Sequence, residues 1–173
     1  MLTEETALRH NEAMKVLVLS DTHGNHSLAV RALDMAGHTD HIVHLGDEIE
    51  DACFLEEVTG ISVTKVLGNC DLSPLFPRET TLELDGKRVL LTHGDLYTVK
   101  TGLDKLKKKA VAERIDVVLY GHTHIPIVQK IDNILFVNPG CLKKGCIEPS
   151  FALLSIDNGV ASANIVPLTC AAI

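Results

Sequence analysis

Short apolar runs alternate along the chain with polar clusters rich in Gly, Asp and His. Lys15–Ser20 (KVLVLS) is nearly continuous in apolar residues, the pattern of a strand buried on both faces, and it stops at Asp21-Thr22-His23-Gly24-Asn25. Over Ser27–Ala36, residues Leu28, Val30, Ala32, Leu33 and Met35 fall mostly on one helical side, and Gly37 closes the segment. His41–Leu45 reads as a second strand ending in Gly46-Asp47, Ala52–Val58 as a short helix closed by Gly60, and Ser62–Leu67 as a third strand ending in Gly68-Asn69. This βαβαβ opening predicts parallel pairing.

The second half changes character. Thr80–Leu84 and Lys87–Thr92 flank Asp85-Gly86, a two-residue hairpin signal, and the second strand ends in His93-Gly94-Asp95. Thr101–Arg114 reads as a helix, with Thr101 and Asp104 as a capping-box variant, Leu103, Leu106 and Ala110 as its apolar side, and Lys107-Lys108-Lys109 facing solvent. Val117–Tyr120 is a further buried strand, ending in Gly121-His122-Thr123-His124. Ile127–Ile131, Ile134–Val137, Ala152–Ile156 and Ala161–Val166 follow, with Asp132-Asn133 and Asp157-Asn158-Gly159 as turns. Residues 1–13 are polar and follow no period. They are expected to form a flexible extension, with residues 14–173 as a single domain.

Composition narrows the function. The 173 residues carry a formal charge of −7 and include no Trp, two Tyr and four Phe. That argues against an extended nucleic-acid track, a stacking surface for single strands or an anionic membrane as partner. The five cysteines follow no regular framework, and no apolar run approaches a membrane span or a signal peptide, so the expectation is a reduced, cytoplasmic protein. Nine histidines invite a search for metal ligands.

Five polar clusters each follow an apolar strand: Asp21-x-His23, Gly46-Asp47, Gly68-Asn69, His93-Gly94-Asp95 and Gly121-His122-Thr123-His124. Their spacings of 26, 22, 24 and 29 residues each fit one strand plus a return connection. Every cluster is therefore expected at one sheet edge, the carboxyl end of the strands. Extended backbone would put the side chains of Asp21 and His23, and of His122 and His124, on a shared side. The set of two Asp, one Asn and four His suits divalent Mn, Fe, Zn, Ni or Co, with Mg less suited to so many imidazoles. Seven ligands suit two ions and a bridging carboxylate. Such a pair polarises a phosphoryl oxygen and generates hydroxide near neutral pH.

These motifs resemble the calcineurin-like metallophosphoesterases, and most of all the small bacterial and archaeal YfcE-type phosphodiesterases, over about residues 14–167. The resemblance implies a four-layer α/β/β/α sandwich with two facing mixed sheets. It implies one metal on Asp21, His23, Asp47 and His124, and another on Asp47, Asn69, His93 and His122, with Asp47 bridging. It also implies catalytic roles for Asp47, Asn69 and His93, with a metal-bound hydroxide attacking a small phosphoester. Many members of the wider superfamily carry His directly after the Asn. Here that place is Cys70, a weak donor, which predicts a preference for good leaving groups such as aryl phosphoesters.

Other residues read more plainly. Asp71 and Asp95 are candidates to orient ligand imidazoles, and Asn25 is a candidate for substrate or supporting contact. Glu48, Glu50 and Asp51 read as acids at a helix N-terminus, Asp51 also as a support for the site. His44 reads as a hydrogen-bonded buried residue, His26 as a residue at a helix start, and His10 as part of the extension. Cys53 reads as a buried helix residue, Cys141 and Cys146 as packing residues, and Asn138-Pro139-Gly140-Cys141 as a structural loop. The rival to an enzyme is a non-catalytic scaffold of the same fold, as in the retromer subunit. Retention of all seven ligand positions favours the enzyme. Self-association as a homo-oligomer stays open.

Overall fold

The computed structural model describes residues 13–168. Almost all of the expected extension, His10 and Cys170 lie outside the described residues. Strand β1 (Met14–Leu19) leads into α1 (His26–Ala36), β2 (His41–His44), α2 (Ile49–Thr59) and β3 (Val63–Lys65). The hairpin β4 (Glu79–Leu84) and β5 (Lys87–Thr92) follows, then a 3₁₀ turn over Asp95–Tyr97, α3 (Asp104–Ala112) and β6 (Val117–Tyr120). Two further hairpins follow: β7 (Ile127–Ile131) with β8 (Ile134–Asn138), and β9 (Ser150–Asp157) with β10 (Val160–Pro167).

The strands form two five-stranded mixed sheets, β10-β9-β1-β2-β3 and β4-β5-β6-β8-β7. β1 pairs in parallel with β2, and β2 with β3, as the βαβαβ pattern predicts. In the second sheet β5, β6 and β8 run parallel, while β4 and β7 pair antiparallel at the edges.

Strand alternation sorts the apolar side chains into layers. Val16 and Val18 of β1 pack between the sheets with Val89, Leu91, Val117, Leu119 and Val137. Leu17 and Leu19, pointing the other way, pack under the helices with Ala29, Ala32, Ala52 and Leu55. On the far side, Leu90, Val118 and Phe136 pack with Leu106 and Ala110 of α3. The result is the four-layer α/β/β/α sandwich. No helix among the described residues is long and apolar enough to cross a membrane.

Several local expectations are corrected. The five clusters leave strands of two facing sheets, not one sheet edge. Helix α3 starts at Asp104, and Thr101 makes no capping box: its hydroxyl donates to the Thr98 carbonyl at 2.9 Å. Helix α2 starts at Ile49, three residues before the apolar pattern suggested, because Asp71 accepts the Glu48 and Ile49 N–H groups at 3.0 and 2.8 Å. Of the lysine run only Lys108 is exposed; Lys107 pairs with Asp132, and Lys109 with Glu79 and Glu113. Cys141 and Cys146 are not reduced packing residues but a disulfide, because the intervening turn, closed by Cys146 N–H to Lys143 O at 3.1 Å, folds the chain back. Cys53 and Cys70 are free thiols, Cys53 half-buried rather than buried.

Leu119 has no exposed surface and sits between the sheets. Leu119→Ala is expected to cost about 2–5 kcal/mol. Urea unfolding would show it as a lowered midpoint at unchanged slope.

Candidate metal centre

The ends of β1, β2, β5 and β6, with the segment after β3, deliver Asp21, His23, Asp47, Asn69, His93, His122 and His124 to one place between the sheets. Three sets of these residues, with Cys70, place ligand atoms within 4.8 Å of one another: Asp21, His23 and His124; His23, Asp47 and Cys70; and Asp47, His93 and His122. His23 and His124 pack edge to face at 5.8 Å, and His93 and His122 at 4.9 Å.

The convergence is not made by extended backbone. Asp21, His23, Asp47, His122 and His124 all have positive φ, between 46° and 68°. Non-Gly residues seldom adopt this region, although Asp and His tolerate it better than most. Each chain exit is a tight left-handed turn that throws its side chain back over the sheet edges. Such backbone persists only where surrounding contacts enforce it. Two glycines make those contacts feasible. A Cβ at Gly68 would collide with Asp47 Oδ1, and one at Gly121 with Ser20 Oγ. Here glycine lets the loops approach each other.

Hydrogen bonds fix one side of Asp21, Asp47 and His93. Asp21 Oδ2 accepts from Ser20 Oγ at 2.6 Å and from the His122 N–H at 3.1 Å. Asp47 Oδ1 accepts the Cys70 N–H at 2.9 Å. The other oxygen of each carboxylate faces imidazoles: Asp21 Oδ1 lies 3.0 Å from His124 Nε2, and Asp47 Oδ2 lies 3.4 Å from His93 Nε2 and 3.7 Å from His23 Nε2. His93 Nδ1 lies 2.8 Å from the Leu45 carbonyl, which can only accept, so Nδ1 carries a hydrogen. In the neutral ring Nε2 then offers a lone pair. It meets Asn69 Oδ1 at 3.2 Å and His122 Nδ1 at 3.0 Å, besides Asp47.

This arrangement fits a cation. A single proton relieves one of these contacts, whereas a cation among them relieves all. Asp21 Oδ1 and His23 Nε2 are buried and have no hydrogen-bond partner, a costly condition unless something else satisfies them. The donors are imidazole, carboxylate and amide oxygen, a set for first-row divalent ions. Charge perturbations centre here too. Burial works against ionising Asp21 and Asp47, yet contacts with His124 and His93 outweigh it and hold both below the usual carboxylate range. Burial likewise opposes protonation of His93, and the Asp47 and Asp21 carboxylates outweigh it, so its pKa is raised. Partial burial and the Asp47 carboxylate push the Cys70 thiol up to about 11, and the thiol donates to Asp47 Oδ2 at 3.3 Å.

Neighbouring candidates are placed as follows. Asp71 hydrogen-bonds no imidazole among the described residues; it accepts four backbone N–H groups, from Asp47, Glu48, Ile49 and Gly68, at 2.7–3.0 Å. Asp95 pairs with Arg78, whose other nitrogen donates to the Gly68 carbonyl at 3.2 Å. Asn25 donates to the Leu142 carbonyl at 2.8 Å. Asp51 is buried, accepts the Gly24 N–H at 2.9 Å and lies 3.0 Å from His26 Nε2. Asn138 is structural, donating to Gly121 O at 2.8 Å. His44 is fully buried, within hydrogen-bond reach of Thr22 Oγ1 at 3.0 Å. Sequence reasoning had not singled out Ser20, Thr22 or Arg78. Ser20 and Thr22 flank Asp21, but nothing in the local pattern marks Arg78.

The comparisons with known proteins agree with this fold. Residues 14–159 match the calcineurin-like phosphoesterase superfamily domain, and the chain belongs to that superfamily. It is 31% identical to the probable metallophosphoesterase YsnB of Bacillus subtilis, over 86% of this chain and 88% of the relative. It is 29% identical to the phosphodiesterase YfcE of Escherichia coli K12, over 86% and 90%. Among solved structures, a predicted phosphoesterase from Streptococcus pneumoniae superposes with a TM-score of 0.76 at 28% identity, covering 90% of both chains. Vacuolar protein sorting 29 of Cryptosporidium parvum shares the fold, with a TM-score of 0.69 at 18% identity over 91% and 99%.

Asp71→Asn would turn an amide NH₂ toward backbone N–H donors. The expected loss is about 1–3 kcal/mol of stability, read from the unfolding midpoint, with weakened metal binding by calorimetry. His44 offers a pH test. Burial lowers its pKa to about 4, so the fold holds the neutral ring. Its stabilisation is complete above the unfolded value of about 6.5 and is lost as pH falls through about 4. Unfolding free energies should drop over that window by up to about 3 kcal/mol more in the parent than in His44→Gln.

Proposed function

We propose that this chain is a metal-dependent phosphohydrolase acting on small phosphodiesters with a dinuclear centre. One ion, manganese in the reading favoured here, is held by Asp21, His23, Asp47 and His124. The second is held by Asp47, Asn69, His93 and His122, with Asp47 shared. The observation that carries the proposal is the crowding of acceptor atoms at one point: His93 Nε2 faces Asn69 Oδ1, Asp47 Oδ2 and His122 Nδ1 within 3.0–3.4 Å, beside the buried Asp21 Oδ1 and His23 Nε2. The phosphodiesterase name of the YfcE relative supports the reaction class.

When bound, the divalent ions supply charge for the phosphoryl oxygens and lower the pKa of water. The chain's own residues do the positioning. Leu45 fixes the His93 ring through Nδ1, and Ser20 and the Cys70 N–H orient the two carboxylates. His23 and His124 keep side-chain exposures of 30% and 27%, so the site opens to solvent on their side. The Cys70 thiol, a weak donor, is directed at Asp47 Oδ2 at 3.3 Å, which leaves protonation of a poor leaving group without an evident side chain among the described residues. No covalent protein intermediate is required. The net charge of −7 suits a compact phosphoester better than a nucleic-acid backbone.

The test is hydrolysis of bis-p-nitrophenyl phosphate after chelation and add-back of Mn, Ni, Mg or Zn. Activity should vanish on chelation and return with metal. Asp47→Ala should lose at least about 100-fold, since even partners outside the ligand shell cost about 10–100-fold. Activity surviving both treatments defeats the two-ion reading. Metal binding without turnover under any metal supports a binding module instead.

A further inference from the structure

His124 belongs to two features at once. It stands in the cluster with Asp21 and His23, and it lines a cavity of about 490 Å³. Ile125, Pro126, Ile147 and the Cys141–Cys146 disulfide form much of the remaining wall. That volume lies within the range of small-molecule pockets. Ile147 is 96% exposed and Ile125 is 66% exposed, two large apolar side chains left in water beside the candidate centre. Grouped exposed apolar side chains of this kind mark ligand grooves and other contact sites. The disulfide ties down the loop carrying Ile147. The two charged residues of the lining, Lys143 and Glu148, are opposite in sign, so the cavity offers no net charge to a second anionic group.

We infer that this cavity is the subsite for the non-leaving substituent of the phosphodiester, and that it takes an apolar, aryl-sized group. The inference rests on the phosphodiesterase reading. It assigns the substrate's single charge to the Asp and His cluster and its apolar end to the Ile125–Ile147 wall. A nucleotide, with polar sugar and further phosphate, matches this wall poorly. The larger cavity, of about 1050 Å³, lies at the opposite end of β1, beside Lys15, Asp40 and the Asp157–Gly159 turn, and contains none of the candidate ligands.

The experiment compares two substrates with one leaving group, phenyl p-nitrophenyl phosphate and methyl p-nitrophenyl phosphate, on the manganese-loaded chain. The phenyl ester should be favoured in kcat/KM by about tenfold, the scale expected when much of one ring leaves water. Ile147→Asp and Ile125→Asp should each bring that ratio toward one. Val160→Asp, on the hairpin beside the opposite cavity, should keep it. A ratio near one in the parent, or a ratio unmoved by both isoleucine substitutions, overturns the subsite. Calorimetry separates the two readings without turnover, using phenylphosphonate and methylphosphonate. A phenyl preference that disappears in Ile147→Asp, with neither ester hydrolysed, keeps the subsite and defeats the hydrolase. Equal phosphonate affinities with esters still hydrolysed defeat the subsite and keep the hydrolase.

Discussion

The site depends on an imbalance of protons. Four imidazoles, two carboxylates and an amide oxygen are drawn together, and at His93 the hydrogen atom that would pair them points elsewhere. His93 commits its Nδ1 hydrogen to Leu45, so its other nitrogen confronts Asn69, Asp47 and His122. Asp21 receives the Ser20 hydroxyl and the His122 N–H on Oδ2, while its Oδ1 faces His124 Nε2 at 3.0 Å. Left to itself, such a cluster would spread apart or take up protons, because buried unpaired polar atoms are expensive. The surrounding structure is what prevents the spreading.

That restraint comes from backbone. The loops after β1, β2 and β6 turn through left-handed residues that are themselves the candidate ligands, so the strained positions and the chemical positions coincide. Asp71 gathers the N–H groups of Asp47, Glu48, Ile49 and Gly68 on one carboxylate, fastening the Gly46-Asp47 turn, the start of α2 and the Gly68-Asn69 turn together. Arg78 adds a second tie through Gly68 O and Asp95. Beneath them, the core between the sheets gives both sets of strand ends a common floor. Rigidity of this kind lets a cluster of lone pairs wait for a cation without collapsing.

The strands were legible because each is an apolar run closed by Gly, Asp or His, and most of their limits lie within two residues of the pattern. Their division between two sheets was not legible from that pattern, since β1 and β6 are equally apolar and nothing local says which neighbours they choose. The resemblance to a known family supplied it. The start of α2 depends on Asp71, 22 residues beyond Ile49, and no local propensity contains that bond. Likewise Thr101 and Asp104 carry the right spacing for a cap, but the helix begins only at Asp104, with Leu103 at its N-cap, so Thr101 lies too far back to cap it. The seven candidate ligands were legible as residues following strands. Their mode of convergence was not: spacing of two implies a shared face only in extended backbone, and positive φ removes that premise. The surviving local signal is that Asp and His, often beside Gly, are residue types that tolerate such turns.

The acidic composition and the proposed anionic substrate class are reconciled by the same imbalance. A net charge of −7 spread over the surface repels a long anion, but under the proposed two-ion reading the ions would bring +4 against −2 from Asp21 and Asp47, leaving one compact positive spot. A spot of that size recognises one phosphate and little more. Discrimination among phosphoesters then falls to what adjoins it. On the His124 side that is not a further cation but exposed isoleucine, proline and a disulfide. On the proposed reading, charge selects the phosphate and apolar surface selects its substituent. The two selections use separate residues on either side of one shared histidine, which is why substitutions in the wall can move preference while the ion-binding residues remain in place.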